Sequence, residues 1–478
     1  MNLEEPKAKS ISRWSATLFR SVDNASLGAF RIMFGLCIVW FTWTYYDDYM
    51  LGYISRPGLH FTHFGFDWVR PWPGDGVYYH IMVLEVLSVL ITLGLFYRVS
   101  VVLFFFGFTY IFLLESTINR THPYLFCLTS FLLIFMPAHR AYSMDALLWP
   151  KLRQGWTPEW AIWSLRLQYG LVYFFAGLAK FNLDWINGEP LRSRMRHMLV
   201  GDFFLEHNWA LLGMCHAGLL FDLLVPFGLA FRKTRLAAWV ISVLFHVTNS
   251  MIWDLDVLPY LMIACTLIFF DADWPKQVAA YVRKEKHVHE ATTPQAVRLR
   301  WPQVGVLLIL AAHFTIQILV PLRHFAYPGN VLWTGEGHFL AWRMMSVRKV
   351  SIAKFYARDP KTGTEWEISP RDFGIPYYTH NNPWVYPDNL VLFARYATNE
   401  LGRQGIANAE IRATVYASLA GRRPQLLIDP EVNLAEQPRS LLPKPWIFGL
   451  KEPLPTTPDE RAAALEEWER LGGDPEQF

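Results

Sequence analysis

The chain is 478 residues long, with 53% hydrophobic and 16% aromatic residues and only 18% charged, against about a quarter charged in a soluble globular protein. The apolar excess falls in blocks, so the chain is read as a polytopic α-helical membrane protein. A net charge of +3 points to neither nucleic acid nor any strongly charged partner.

The first 20 residues, "MNLEEPKAKSISRWSATLFR", are polar and basic and do not read as a cleavable signal peptide. About nine apolar spans follow, over 28–46, 80–97, 99–114, 122–138, 160–179, 209–231, 236–253, 255–270 and 304–322. Several are shorter than the ~20 residues a perpendicular transmembrane helix needs. Joined in order from a cytoplasmic N-terminus, they place "RKTR" (232–235) and the basic stretch from Tyr281 on the inner side. The inner loops then carry more than twice the Lys and Arg of the outer loops, as the positive-inside rule requires. An odd number of spans sends everything after Leu322 outside. The predicted organisation is a cytoplasmic segment (1–27), a transmembrane domain (28–322) and an extracytoplasmic domain (323–478). The membrane is left open between a bacterial inner membrane and the endoplasmic reticulum.

From Arg323 onward Pro, Gly and charge return. "VSIAKFYARDPKTGTEWEIS" reads as two strands around an Asp-Pro…Gly turn, and "EIRATVYASLAGRRPQLLIDP" alternates in the same way. "TPDERAAALEEWERLGG" is a capped helix, with Thr457 as N-cap, Pro458 at N1 and Glu460 at N3. The outer domain is therefore expected to be β-rich with a C-terminal helix.

Polar residues inside the spans are costly in lipid and mark function by default. In "VYFFAGLAKFNLDW" a single lysine, Lys180, ends an otherwise apolar run. It is either a snorkelling anchor or an amine kept dry so that it can act as a base. Arg166, Tyr169, Tyr173, Gly177 and Lys180 recur at spacings of three and four, along one helix face. Ala176 and Gly177 would let a helix or a flat ligand approach closely. His246, Asn249 and Ser250 share an edge of another span, and Asp222 and Glu85 lie within two more. His122 opens a span just before Pro123. Each has a structural alternative: a helix cap for His122, an intramembrane pair of Arg166 with Asp222 or Glu85, interhelical hydrogen bonds for His246 and Asn249, and packing for the tyrosines. Cys37, Cys127, Cys215 and Cys265 all lie in apolar runs without metal-ligand spacing and read as buried thiols. No metal is called for.

Four phrases, "RTHPYLFCLTSFLLIFMPAHRAYSMDALL", "RLQYGLVYFFAGLAKFNLDWINGEPL", the 222–275 stretch beginning "DLLVPFGLAFRKTR", and "WTGEGHFLAWRMM", occur in that order. Together they resemble the vitamin K-dependent gamma-glutamyl carboxylases, and the membrane part resembles the wider horizontally transferred transmembrane (HTTM) family. The resemblance implies carboxylation of protein glutamate residues, using reduced vitamin K (a phylloquinone or menaquinone hydroquinone), O2 and CO2, coupled to quinone epoxidation. It implies Lys180 as the base toward the hydroquinone and His122 on the glutamate side. The animal members place two asparagines directly before that histidine, one holding the quinone. Here Arg120 and Thr121 stand there, with Asn119 one position upstream. The quinone is expected beside Arg166, Tyr169, Tyr173, Gly177, His246, Asn249, Asn119 and Thr121. The expected partners are a Glu-containing protein or peptide, quinone and membrane lipid. The same spans would also suit a lipid-binding or transport protein without carboxylase activity, or an epoxidase with another acceptor.

Overall fold

The computed structural model describes residues 18–44, 52, 54–56, 58–117, 121–196, 198, 200–253, 255–286, 301–346, 348–375 and 382–478. Asn119 and most of the predicted N-terminal segment lie outside these. Each predicted span contains a helix: α1 (Ala25–Thr44), α2 (Gly76–Leu93), α3 (Tyr97–Leu114), α4 (Thr121–Phe135), α5 (Glu159–Lys180), then, beyond a short α6 (Glu189–Met195), α7 (Asn208–Ala230), α8 (Arg235–Ile252), α9 (Leu258–Cys265) and α10 (Trp301–Leu322). Six of the described helices are long and apolar enough to cross a membrane: α1, α2, α3, α7, α8 and α10 with its short extension. The expected nine thus divide. α4 has 15 residues and α9 has 8 before a 3-10 turn, while α5 has 22 residues diluted by Arg166, Gln168 and Lys180.

The loops gather at two ends. At one, β1 (Ser21–Asp23) pairs antiparallel with β2 (Trp156–Pro158), and Arg235 pairs with Asp271 at 3.0 Å. Arg31, fully buried in α1, donates to the carbonyls of Ile91 (2.8 Å), Thr92 (2.6 Å) and Ala138 (3.1 Å). It thereby adds donors to the carbonyls where α2 ends, of which Ile91 also accepts the Gly94 N–H (3.1 Å). At the opposite end Arg56 pairs with Glu115 at 3.0 Å, and the C-terminal domain docks there.

That domain is built on an antiparallel sheet of order β4-β3-β5-β6, from β3 (Lys349–Arg358), β4 (Glu365–Ile368), β5 (Glu410–Leu419) and β6 (Gln425–Leu426). β3 and β4 form the expected hairpin, with Arg358 opposite Glu365 and Gly363 at φ 72° in the turn. One face, including Phe355, Ala357, Ile411, Ala413 and Val415, is buried against α11 (Pro387–Arg403), whose Leu390, Phe393, Ala394 and Ala397 face it. This helix was not expected. Its start signals, Pro387 and Asp388 after Tyr386, are ordinary N1 and first-turn residues, so the domain is α+β rather than only β-rich. α12 (Pro458–Arg470) carries the expected capping box of Thr457 and Glu460.

Three arginines of the C-terminal domain fasten it to the membrane domain, two through carboxylates and Arg439 through the carbonyl of Thr62 and the carboxylate of Asp67. Arg422 holds Asp184 through both oxygens (2.6 and 2.9 Å), and Arg461 holds Glu189 likewise (2.6 and 2.9 Å). Arg439 bridges Asp388 (2.6 Å) and the carbonyl of Thr62 (3.0 Å).

Candidate active site

Lys180 occupies the last turn of α5 and is buried, with only 3% of its surface exposed. Its Nζ donates to Asp222 Oδ2 of α7 at 2.6 Å and, more weakly, to the carbonyl of Ala176 at 3.4 Å. It also lies 5.1 Å from the centre of the Trp185 ring. A snorkelling anchor would reach outward to water; this amine turns inward to a carboxylate that is itself buried.

α5 and α8 meet beside this pair. Tyr173, seven residues before Lys180 and so on the same face, places its hydroxyl 2.7 Å from His246 Nε2 and 3.0 Å from Ser242 Oγ. Two connected spaces open here. The larger, about 290 Å3, is walled mainly by apolar groups such as Trp185, Phe221, Phe245 and Trp253, with Lys180, Thr248 and Asn249 among its polar members. The smaller, about 40 Å3, is bordered by Tyr173, Asp222, His246 and Asn249, and again by Lys180. Ile241 and Leu244 belong to the larger wall yet are 54% and 63% exposed. The cavity therefore opens on the lipid-facing side of α8, which suits an isoprenoid tail.

The roof comes from the C-terminal domain. Met344 and Met345 reach over the Lys180 spaces. The residues just before them, from His338 to Arg343, line a third cavity of about 710 Å3 between the two domains. Within this partition Leu340, Trp342 and Met345 have φ of 59°, 55° and 51°, the left-handed region that costs a side-chain-bearing residue about 1–2 kcal/mol. Such strain concentrates where function fixes the backbone. The inter-domain cavity has more basic than acidic groups in its wall, Arg343, Arg348 and Lys349 against Asp474 and Glu476. Lys349 donates to the carbonyls of Trp333 and, at 2.6 Å, Val385, and burial lowers its pKa to about 7. Burial, helped by Arg343 and Lys349, pushes His338 down to about 3.

The expected site residues divide between these places. Lys180, Tyr173, His246 and Asn249 come together. Thr121 lines the inter-domain cavity. His122, next to it, is buried at the start of α4, edge-on to Phe41 with ring centres 4.8 Å apart. Its Nε2 lies 3.8 Å from Asp256 Oδ2, and Asp256 follows Leu255, a wall of the smaller Lys180 space. The other three sit elsewhere. Arg166, about 21 Å from Lys180 along the helix, donates to the carbonyls of Ile268 (2.9 Å) and Phe270 (2.8 Å). Tyr169 packs edge-on to Phe30 in the bundle core with its hydroxyl 3.4 Å from Thr129 Oγ1. Gly177 lets α7 approach: a Cβ there would stand 2.7 Å from the backbone nitrogen of Leu223. The regular spacing along α5 is real, but its neighbours change midway. α1, α4 and the 266–269 turn cover one half, and α7 and α8 the other.

Sequence reasoning missed the Lys180–Asp222 pair and the methionine roof. Asp222 was visible as an intramembrane acid, but only the fold chooses its partner.

Residues 19–274, more than half of the chain, match the HTTM domain model, and residues 303–453 match the lumenal domain of vitamin K-dependent gamma-carboxylase. The chain belongs to the gamma-glutamyl carboxylase family. No solved structure matches it. Lys180, Asp222, Tyr173 and His246 lie in the region matched to the HTTM domain, and Met344, Met345, Arg343, Arg348 and Lys349 in the region matched to the lumenal domain. Family membership makes this a multi-pass membrane protein, and implies vitamin K-dependent gamma-carboxylation with reduced vitamin K as cofactor.

Proposed function

We propose that the protein carboxylates glutamate residues of protein substrates at the γ-carbon, using reduced vitamin K, O2 and CO2 and releasing the quinone epoxide. The observation that carries this is the arrangement of the two spaces. A buried amine with a carboxylate counter-ion faces an apolar cavity open to lipid, and the 338–345 loop contributes wall both to the Lys180 spaces and to the inter-domain cavity with its Arg343, Arg348 and Lys349.

The lined volume suits the reduced quinone, with the tail leaving past Ile241 and Leu244 and the ring oxygens within reach of Lys180, Asn249 and His246. Once bound, the hydroquinone reacts with O2 to supply the strong base that removes the γ-hydrogen. Lys180 starts the sequence by taking a hydroxyl proton. When the amine is unprotonated and Asp222 ionised the pair carries one negative charge, and proton uptake leaves a neutral ammonium–carboxylate pair. Asp222, 2.6 Å away, would pair with the ammonium formed by that transfer, which would otherwise be a buried charge without a counter-ion. Trp185, Phe221 and Phe245 exclude water, which would quench a strong base. On the other side of the partition, Arg343, Arg348 and Lys349 suit the carboxylate of a glutamyl side chain. Thr121 borders that side, and His122, buried next to it in the chain, faces Asp256.

The proposed membrane arrangement has nine crossings, with α4 and α9 as short members, a cytoplasmic N-terminus and the C-terminal domain outside. The charge bias of the loops supports it. So does the gathering of alternate loops at opposite ends.

The test uses the full chain in lipid nanodiscs with reduced vitamin K, O2, labelled bicarbonate and a Glu-containing peptide. Label should appear in acid-labile carboxyl groups in step with epoxide. A folded protein that binds quinone and gives neither product overturns the proposal.

A further inference from the structure

A second cationic feature adjoins the inter-domain cavity. Arg192 and Arg196 from the α6 region, Arg461 of α12 and Arg348 converge on a narrow cleft of about 10 Å3 between the membrane domain and the C-terminal domain. Arg348 and Val350 line both this cleft and the larger cavity, so the two adjoin. Acidic side chains offset their charge only in part: Asp474 and Glu476 stand in the wall of the larger cavity and Glu189 in that of the cleft. Glu189 is held by Arg461 through both oxygens (2.6 and 2.9 Å) and stands 3.4 Å from Arg192. Arg348 spends its hydrogen bonds on neutral acceptors, Ser193 Oγ (2.7 Å) and the carbonyl of Glu476 (2.9 Å). Arg192 Nε, although buried, makes no hydrogen bond. Arg196 is exposed at the mouth.

We infer that this cleft is a docking site for acidic residues flanking the glutamate being modified, so that the substrate is an acidic peptide segment held along the arginines with one side chain in the inter-domain cavity. The inference rests on the carboxylase reading. Its basis is charge and adjacency. Guanidinium groups bind carboxylates through paired donors, and an excess of them along one path raises the local concentration of an anionic chain. The cleft is too narrow to engulf a ring, but its mouth can take carboxylate oxygens one after another. An anionic lipid headgroup would also satisfy arginines at this depth. The wall of Ser418, Ala420 and Arg461 from the C-terminal domain, and the adjoining larger cavity across Arg348 and Val350, favour the peptide.

The test compares two fluorescent peptides with one central glutamate, flanked either by Asp and Glu or by Asn and Gln. Full-length protein in nanodiscs of neutral lipid is the receptor. Binding is read by anisotropy without quinone, and carboxylation is measured separately. The acidic-flank peptide should bind about tenfold more tightly at low salt, and the advantage should shrink as salt screens it. The double variant R192Q/R196Q should lose that advantage while its binding and carboxylation of the neutral-flank peptide stay unchanged. Equal binding of both peptides by the native protein overturns the inference even if both are carboxylated. An advantage that appears only with anionic lipid present assigns the cleft to headgroups and also overturns it. Tight, variant-sensitive binding without carboxylation of either peptide leaves the docking site standing and removes the carboxylase reading instead.

Discussion

Arginine at position 180 distinguishes the two meanings of a lysine in an apolar run. An anchor tolerates it, because charge and reach are kept; a base does not, because a guanidinium stays protonated at any workable pH. Lys180→Arg and Lys180→Ala should insert and bind quinone yet lose epoxide formation and carboxylation together, by at least a hundredfold. Near-native turnover by a folded Lys180→Arg protein would remove Lys180 from the chemistry. Asp222→Asn keeps an acceptor beside the amine but removes the charge that would pair with the ammonium. Its epoxidation rate should fall about 10–100-fold, with quinone affinity little changed. Lys349 gives a pH signature of a different kind. Its pKa is lowered to about 7, so the unfolded chain binds more protons than the folded one from about pH 7 up to the ordinary lysine value of 10.5. Over that window its contribution to stability rises with pH. The charge available to a substrate carboxylate falls over the same window. KM for a glutamyl peptide should therefore rise above pH 7, and Lys349→Gln should flatten that rise; an unchanged pH profile would place the carboxylate away from Lys349. His338, pushed down to about 3, stays neutral throughout and adds nothing to this step.

The seam between α5 and α7 is the element on which the site depends. Gly177 allows the two backbones to meet, and Leu223, the residue it faces, directly follows Asp222. A methyl group there collides with backbone rather than with a flexible side-chain end. Gly177→Ala should cost about 1–3 kcal/mol, read as a lower midpoint in thermal unfolding, and should slow epoxidation by moving Asp222 away from Lys180. Loss of quinone affinity with unchanged stability would instead place Gly177 at the ligand. The small-residue pattern alone could not separate these outcomes, since helix and flat ligand ask for the same missing side chain. The fold separates them by setting α7 against that face. The same limit applied to Arg166 and Tyr169. Their periodicity defined a face correctly, but periodicity carries no information on which neighbour covers each turn of it.

For the whole molecule, the domain interface and the membrane sides are the testable features. Arg422→Ala leaves the buried Asp184 without its partner, at a cost of about 3–5 kcal/mol. Asp184 precedes Trp185, a wall of the larger cavity beside Lys180, so activity should fall even where the protein stays folded, and Arg422→Lys should restore part of it. On the proposed topology, a cysteine at Lys361, exposed in the β3–β4 turn, should react with an impermeant thiol reagent from outside, and one at Arg232 should not; the four native cysteines are buried and give little background. The reverse labelling pattern would invert the topology.

The amino-acid sequence by itself determined where the apolar helices lie, the charge bias of their loops, the β3–β4 hairpin and the capping box of α12. Each of these is a local property: span hydrophobicity, turn chemistry and cap spacing act within a few residues. It also marked Lys180, His246 and Asp222, because a polar group in an apolar run is costly wherever the run ends up. Only the tertiary structure decided that Asp222 belongs to Lys180 rather than to Arg166, that Tyr173 meets His246, and that Met344 and Met345 from the outer domain close the cavity. Those contacts join residues far apart in the chain. Many pairings are chemically acceptable for a buried carboxylate, and helix packing brings one of them to 2.6 Å.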